Sequence, residues 1–136
     1  MKRSVGLLLF VVLGLVPACR SAMLVNPDPI PAGPSQAATR AAILEATQAR
    51  SWAATEESPG VVHAAVLVRG KHELQVAISY DDKRVRMVYE GSRNLDYSQH
   101  NGREYIHSNA VGWMNLLWWD IQKALANART VKGSGT

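Results

Sequence analysis

What the chain lacks narrows its chemistry first. It has one cysteine in 136 residues, Cys19, so no intramolecular disulfide can form and any fold must stand on its apolar core. There is no Gly-x-Ser-x-Gly elbow to present a nucleophilic serine and no glycine-rich phosphate loop. His63, His72, His100 and His107 are scattered, without the paired spacing with Cys, Asp or Glu that zinc and calcium sites use, and no metal or cofactor is expected. Charged residues are only 19% of the chain, and no Lys/Arg cluster tracks phosphates as nucleic-acid binders do. The formal charge of +4 falls to +2 once Lys2 and Arg3 are set aside with residues 1–18, so the basic balance points to no nucleic-acid partner. No internal repeat is visible. These absences lead to the expectation of a protein that is not an enzyme.

What is present begins at the N-terminus. Met1-Lys-Arg is a positive segment, and Val5 to Val16 is an apolar run of about a dozen residues, the length of a signal-peptide core and too short to span a bilayer. It ends in Leu15-Val-Pro-Ala-Cys19, with Val16 three residues and Ala18 one residue before the cysteine. This resembles the lipobox of bacterial lipoproteins. The resemblance implies cleavage after Ala18, diacylglycerol on the Cys19 thiol and acylation of the new amino group, giving an anchor in the membrane. Two or more acyl chains hold a protein stably where one does not. Arg20, rather than aspartate, follows the cysteine, which by the same resemblance implies the outer membrane, facing the periplasm.

Four regions follow from composition. Residues 1–18 read as a signal peptide. Residues 19–34 read as the lipidated cysteine and a spacer, since Asn26 to Pro34 holds four prolines in nine residues and favours extended conformations of about 3.1 Å per residue. Residues 35–128 read as one α+β domain, and residues 129–136 as a disordered tail. Within the domain, Ser35 is a candidate N-cap for a helix rich in Ala, Gln, Arg and Leu that reaches Arg50, with Ala42, Ile43, Ala46 and Ala49 as its apolar stripe.

Strands follow. A weak one from Trp52 to Glu57 ends at the turn Ser58-Pro-Gly60. Val61 to Arg69 is the second. His72 to Tyr80 is the clearest, alternating His72, Leu74, Val76, Ile78 and Tyr80 with Glu73, Gln75, Ala77 and Ser79. Lys83 to Glu90 is the fourth. Gly70 supplies the positive φ that the hairpin after Arg69 needs, and Asp81-Asp82 reads as a solvated turn. The last helix runs from about Ser108 to Ala126, with Ala110, Met114, Leu117, Ile121 and Ala124/Leu125 on one face and three tryptophans supplying much of the core. Gly112 inside it is expected to mark a close contact with the sheet. The expected fold is α-β-β-β-β-α: a four-stranded antiparallel meander with both helices on one face.

The pattern Arg50-Ser-Trp52, Pro59-Gly60, Tyr80-Asp81, Tyr89-Glu-Gly-Ser-Arg-Asn-Leu-Asp-Tyr97 and Ile106-His107 before a Trp-bearing helix is similar to a family of small uncharacterised bacterial envelope lipoproteins. The likeness covers about residues 36–125 and its motifs are moderately specific. It implies an envelope location and a compact α+β domain, and no known reaction.

Two surfaces are candidates for function. Ser92, Asn94 and Tyr97 follow the last expected strand and can line a small-ligand or catalytic site with His107; the competing reading is that they satisfy backbone groups in a turn and cover the core edge. The outward sheet face carries Leu67, Glu73, Gln75, Ala77, Arg84, Arg86 and Val88. Leu67, Ala77 and Val88 would form a small apolar patch ringed by charge, suited to an envelope protein or cell-wall partner, or else an ordinary solvated face.

Overall fold

The structure is a computed structural model that describes residues 20–135. Cys19 and the expected signal peptide lie outside the described residues. The element order is β1 (Ser21–Met23), β2 (Ile30–Pro31), α1 (Gln36–Ala49), β3 (Ala53–Ser58), β4 (Val61–Val68), β5 (His72–Tyr80), β6 (Arg84–Arg93), β7 (Ser98–His100), β8 (Arg103–His107) and α2 (Ser108–Gly133). The class is α+β. The expected meander is present as β3-β4-β5-β6 but is not the whole sheet: β2 adds to the free edge of β6, giving the order β2-β6-β5-β4-β3, and a second antiparallel sheet has the order β1-β8-β7.

Alternation decides the faces. Val62, Ala64, Val66, Leu74, Val76, Ile78, Val85 and Met87 are all buried on one side of the larger sheet. Ala42, Ile43 and Ala46 of α1 and Ala110, Met114, Leu117, Trp118, Ile121 and Leu125 of α2 join the same core cluster. Both helices therefore cover one face. Ser35 caps α1 as its residue type predicts, its side chain accepting from the Ala38 amide at 3.1 Å. Arg69 and Gly70 both have positive φ, +55° and +65°, and the Lys71 amide donates to the Val68 carbonyl. That is the type I′ geometry whose twist matches a hairpin.

Several expectations are corrected. Residues 20–34 do not form a free spacer. Ser21, Ala22 and Met23 pair with His107, Ile106 and Tyr105, Leu24 is buried, and the Ala32 amide donates to the Lys83 carbonyl. The prolines are compatible with this because β2 is an edge strand, where a missing N–H leaves no partner unpaired. The tail expected to be disordered continues α2 to Gly133, and the Arg129 guanidinium donates to the carbonyls of Pro31 and Ala32. β6 runs on to Arg93 through a bulge at Glu90, because Tyr89 pairs with Val76 while Gly91 pairs with Gln75. A further hairpin, β7–β8, turns on Asn101 and Gly102, both at positive φ. Trp119 is 60% exposed rather than part of the core. A Cβ added at Gly112 would meet nothing within 4 Å, so that glycine makes no close approach to the sheet.

Among the described residues, the buried polar side chains Thr39 and Thr47 are both satisfied locally. Thr39 Oγ1 donates to the Ser35 carbonyl at 2.8 Å and accepts from the Gly33 amide at 2.9 Å, while Thr47 Oγ1 donates to the Leu44 carbonyl. The first of these ties the proline-rich segment to α1.

Candidate functional site

The four polar candidates after the expected last strand do not converge. Ser92 lies within β6, opposite Leu74, and its hydroxyl is 2.8 Å from the Tyr89 hydroxyl. Tyr97 stacks on Tyr89 with ring centroids 5.2 Å apart and planes 14° apart. Its hydroxyl donates to Glu104 at 2.5 Å, and that hydrogen bond holds the Tyr97 pKa above its ordinary value, so the phenol stays a donor. Asn94 is a turn residue with φ +55°, and its amide donates to the Lys71 carbonyl. Its own carbonyl accepts from the His72 ring at 2.7 Å. These are the local roles that such residues take in turns.

His107 alone of the four lines a cavity. The cavity has a volume of about 340 Å³ and lies between the β4–β5 turn and the start of α2. Val68, Arg69 and His72 come from the hairpin; His107, Asn109 and Trp113 come from the last strand and first turns of α2. Leu95 forms part of the wall and Arg20 the remaining side. The backbone is pinned at each approach. The Ser108 amide donates to the Arg20 carbonyl at 2.7 Å and the His107 amide to the Leu95 carbonyl at 2.8 Å. His107 is the N-cap of α2, its Nδ1 accepting from the Asn109 amide. Leu95 is held between Asn94 and Asp96, both at positive φ.

The residues of the cavity come from four separate stretches of chain. Of these, Arg20 sits in the segment that reads as a spacer, and His72 reads only as a strand residue. No local pattern joins them, and only the pairing of β1 with β8 brings Arg20 to the head of α2.

Comparison with family models, with curated proteins and with solved structures finds no match.

The outer face of the larger sheet is uncovered. Leu67 and Val88 are 55% and 43% exposed, but they are not neighbours. Val88 pairs with Ala77, whereas Leu67 pairs with Glu73, four residues further along β5. At about 3.3 Å per residue this separates them by roughly 13 Å, so the expected single apolar patch is split. Between them lies a shallow depression of about 490 Å³ over the paired Ala53 and Ala65. Thr55, Glu57, His63, Gln75 and Glu90 surround it. Glu90 follows Val88 onto this face by alternation, and its carboxylate meets His63 Nδ1 at 2.9 Å. That hydrogen bond, helped by the charges of Glu90 and Glu57, raises the His63 pKa. Glu73 pairs with Arg93 at 2.7 Å and also accepts from Gln75, while Arg84 and Arg86 are exposed on β6. His63 and His72 face opposite sides of the sheet, as alternation predicts.

Asp81 accepts from the Lys83 and Arg84 amides at 2.7 and 2.8 Å, which holds its carboxyl below the usual range and makes it a turn former. Among the described residues no group of three or more His, Cys, Asp or Glu side chains is placed to hold a metal ion, and no helix is long and apolar enough to cross a membrane.

Proposed function

We propose that the chain is a lipid-anchored, noncatalytic binding module of the bacterial envelope, held at the outer membrane through Cys19, that contacts an envelope protein through the outer face of its larger sheet. One observation carries the contact surface: both helices cover the same face, and the other face keeps a depression floored by Ala53 and Ala65 within a polar rim. A small apolar floor inside a polar rim is the anatomy of a recognition surface, able to seat a side chain of the partner. Its rim sets the His63 imidazole among the carboxylates of Glu57 and Glu90 and the amide of Gln75, a mixed polar pattern that favours a protein over a uniformly charged polymer. The lipobox-like Leu15 to Cys19 carries the anchor.

The test uses a photo-crosslinking residue placed in intact cells at Ala65, on the floor, or at Asn127, on the exposed side of α2. A discrete crosslinked partner from Ala65, absent from Asn127 and lost when Gln75 is changed to Lys, is the expected result. Identical products from both positions would overturn the assignment of the surface. The anchor has a separate test, since Cys19→Ser should move the protein from the detergent-soluble membrane fraction to the aqueous one. Continued membrane retention of that variant would refute the lipid attachment.

A further inference from the structure

The cavity at the head of α2 carries charge of one sign. Arg20 and Arg69 line it, His72 and His107 add two imidazoles, and no carboxylate is in its lining. Elsewhere Arg40, Arg50 and Arg93 each meet a carboxylate, Glu56, Asp120 and Glu73. Among the described residues Arg20 and Arg69 have no such partner. Two guanidinium groups without counter-charge at one concave site attract an anion, and their forked donors suit phosphate oxygens.

The two histidines differ in their hydrogen bonds: His72 donates its Nδ1 proton to the Asn94 carbonyl, whereas His107 is set up as a donor toward the cavity. His107 Nδ1 accepts from the Asn109 amide, so in the neutral ring the proton sits on Nε2. Among the described residues that Nε2 has no partner. The site also lies at the N-terminal end of a 26-residue helix, where the aligned peptide dipoles favour negative charge. Trp113 and the buried Leu95 supply apolar wall beside these donors.

The backbone of Arg69 is an independent sign. It occupies the first central position of a type I′ turn at φ +55°, where Asn, Asp or Gly is the low-cost residue. Arginine held in that region costs free energy, and residues under such backbone strain cluster at ligand sites.

We propose that this cavity binds the phosphate group of a small organic ligand, with Arg20, Arg69 and His107 Nε2 as donors and Trp113 beside the organic part. The volume of about 340 Å³ lies in the range of small-molecule sites, about 300–1,000 Å³, and so has room for more than the anion. The same chemistry is offered by a soluble phosphate monoester and by the headgroup of an anionic phospholipid. Arg20 directly follows Cys19, so the two sources are separated by experiment.

The full chain in phosphatidylcholine nanodiscs is titrated with glycerol 3-phosphate and with inorganic phosphate, following tryptophan fluorescence, and the titration is repeated in nanodiscs containing phosphatidylglycerol. Saturable, salt-sensitive binding of glycerol 3-phosphate that is unchanged by phosphatidylglycerol assigns a soluble ligand. A fluorescence change on adding phosphatidylglycerol, with soluble binding then blocked, assigns the headgroup. Arg69→Asn should weaken glycerol 3-phosphate binding about tenfold, the loss of one hydrogen bond to a charged group. The same variant should melt at the same or a higher temperature, because Asn suits the turn; a structural role for Arg69 predicts the opposite. Arg20→Gln, on an exposed side chain, should weaken binding to a similar degree. No saturable response to any of these probes, or wild-type affinity in both variants, overturns the proposal.

Discussion

Replacing Gly33 by Ala distinguishes an integral proline-rich segment from a spacer by the sign of its effect. In a free extended linker the change restricts the unfolded chain and is neutral or stabilising, by up to about 0.4–1 kcal/mol where the folded conformation allows it. In this fold a Cβ at Gly33 would lie 3.1 Å from Thr39 Oγ1 and 3.4 Å from a methyl of Leu125. Neither neighbour gives way easily. Thr39 is fully buried and its hydroxyl is fixed between the Ser35 carbonyl and the Gly33 amide, and Leu125 is fully buried on α2. Overpacking of this kind costs about 1–3 kcal/mol. Set against the chain-entropy gain, the net loss should be about 1–2 kcal/mol, or a fall in melting temperature of roughly 4–8 °C. Urea unfolding followed by tryptophan fluorescence measures it, with Gln36→Ala as a nearby exposed control. A variant as stable as the parent, or more so, would mean that residues 20–34 are not packed against α1 and α2 as described.

Two further perturbations probe the helix and the outer face. Gly112→Ala should raise stability by about 0.5–1 kcal/mol, the propensity difference in a helix interior, since the added methyl meets nothing within 4 Å; urea midpoints that fall would show that a neighbour occupies that space. His63 should titrate above its ordinary value of 6.5 in the folded chain, because Glu90 holds its charged form. The stability this pair contributes is then full below about pH 6.5 and is lost as pH rises through the folded-state pKa of His63. An NMR titration should find that pKa shifted back down in Glu90→Gln. A contribution that instead grew with rising pH would contradict the pairing.

The meander was legible because its signals are local. The period of two in His72–Tyr80 and its neighbours fixes which side chains face the core, and Leu74, Val76 and Ile78 are all fully buried. The helical spacing from Ala110 to Leu125 likewise selects the face of α2 that packs. Asn101-Gly102, a strong hairpin dipeptide, was equally present in the chain, but its flanking strands of three and five residues are too short for alternation to stand out. The proline-rich segment misled for a different reason. Its composition describes a chain that makes no local hydrogen bonds, and says nothing about an edge of β6 that is open to pairing.

The candidate sites divide along the same line. The outer face was readable residue by residue, because alternation alone places Glu73, Gln75, Ala77 and Val88 opposite the core set. Its division into separate exposed residues was not, since that depends on the register that sets Val88 beside Ala77 and Leu67 beside Glu73. For the polar cluster, the sequence placed Ser92, Asn94 and Tyr97 close together along the chain. In the fold Ser92 and Tyr97 both meet Tyr89, while Asn94, at positive φ, turns to Lys71 and His72 instead.

By itself, then, the sequence determined the elements that repeat a period: α1, the strands of the meander, and the buried stripe of α2. It also determined a lone cysteine in a lipobox-like setting and the absence of any familiar catalytic motif. Only the tertiary structure decided that Arg20, Arg69, His72 and His107 share one cavity. They lie in separate stretches of the chain, and long-range pairing of β1 with β8 and the docking of α2 beside the β4–β5 turn are what bring these side chains together. Periodicity reports which way a side chain points from its own element; which other charge it meets depends on contacts between elements, and no local pattern encodes those.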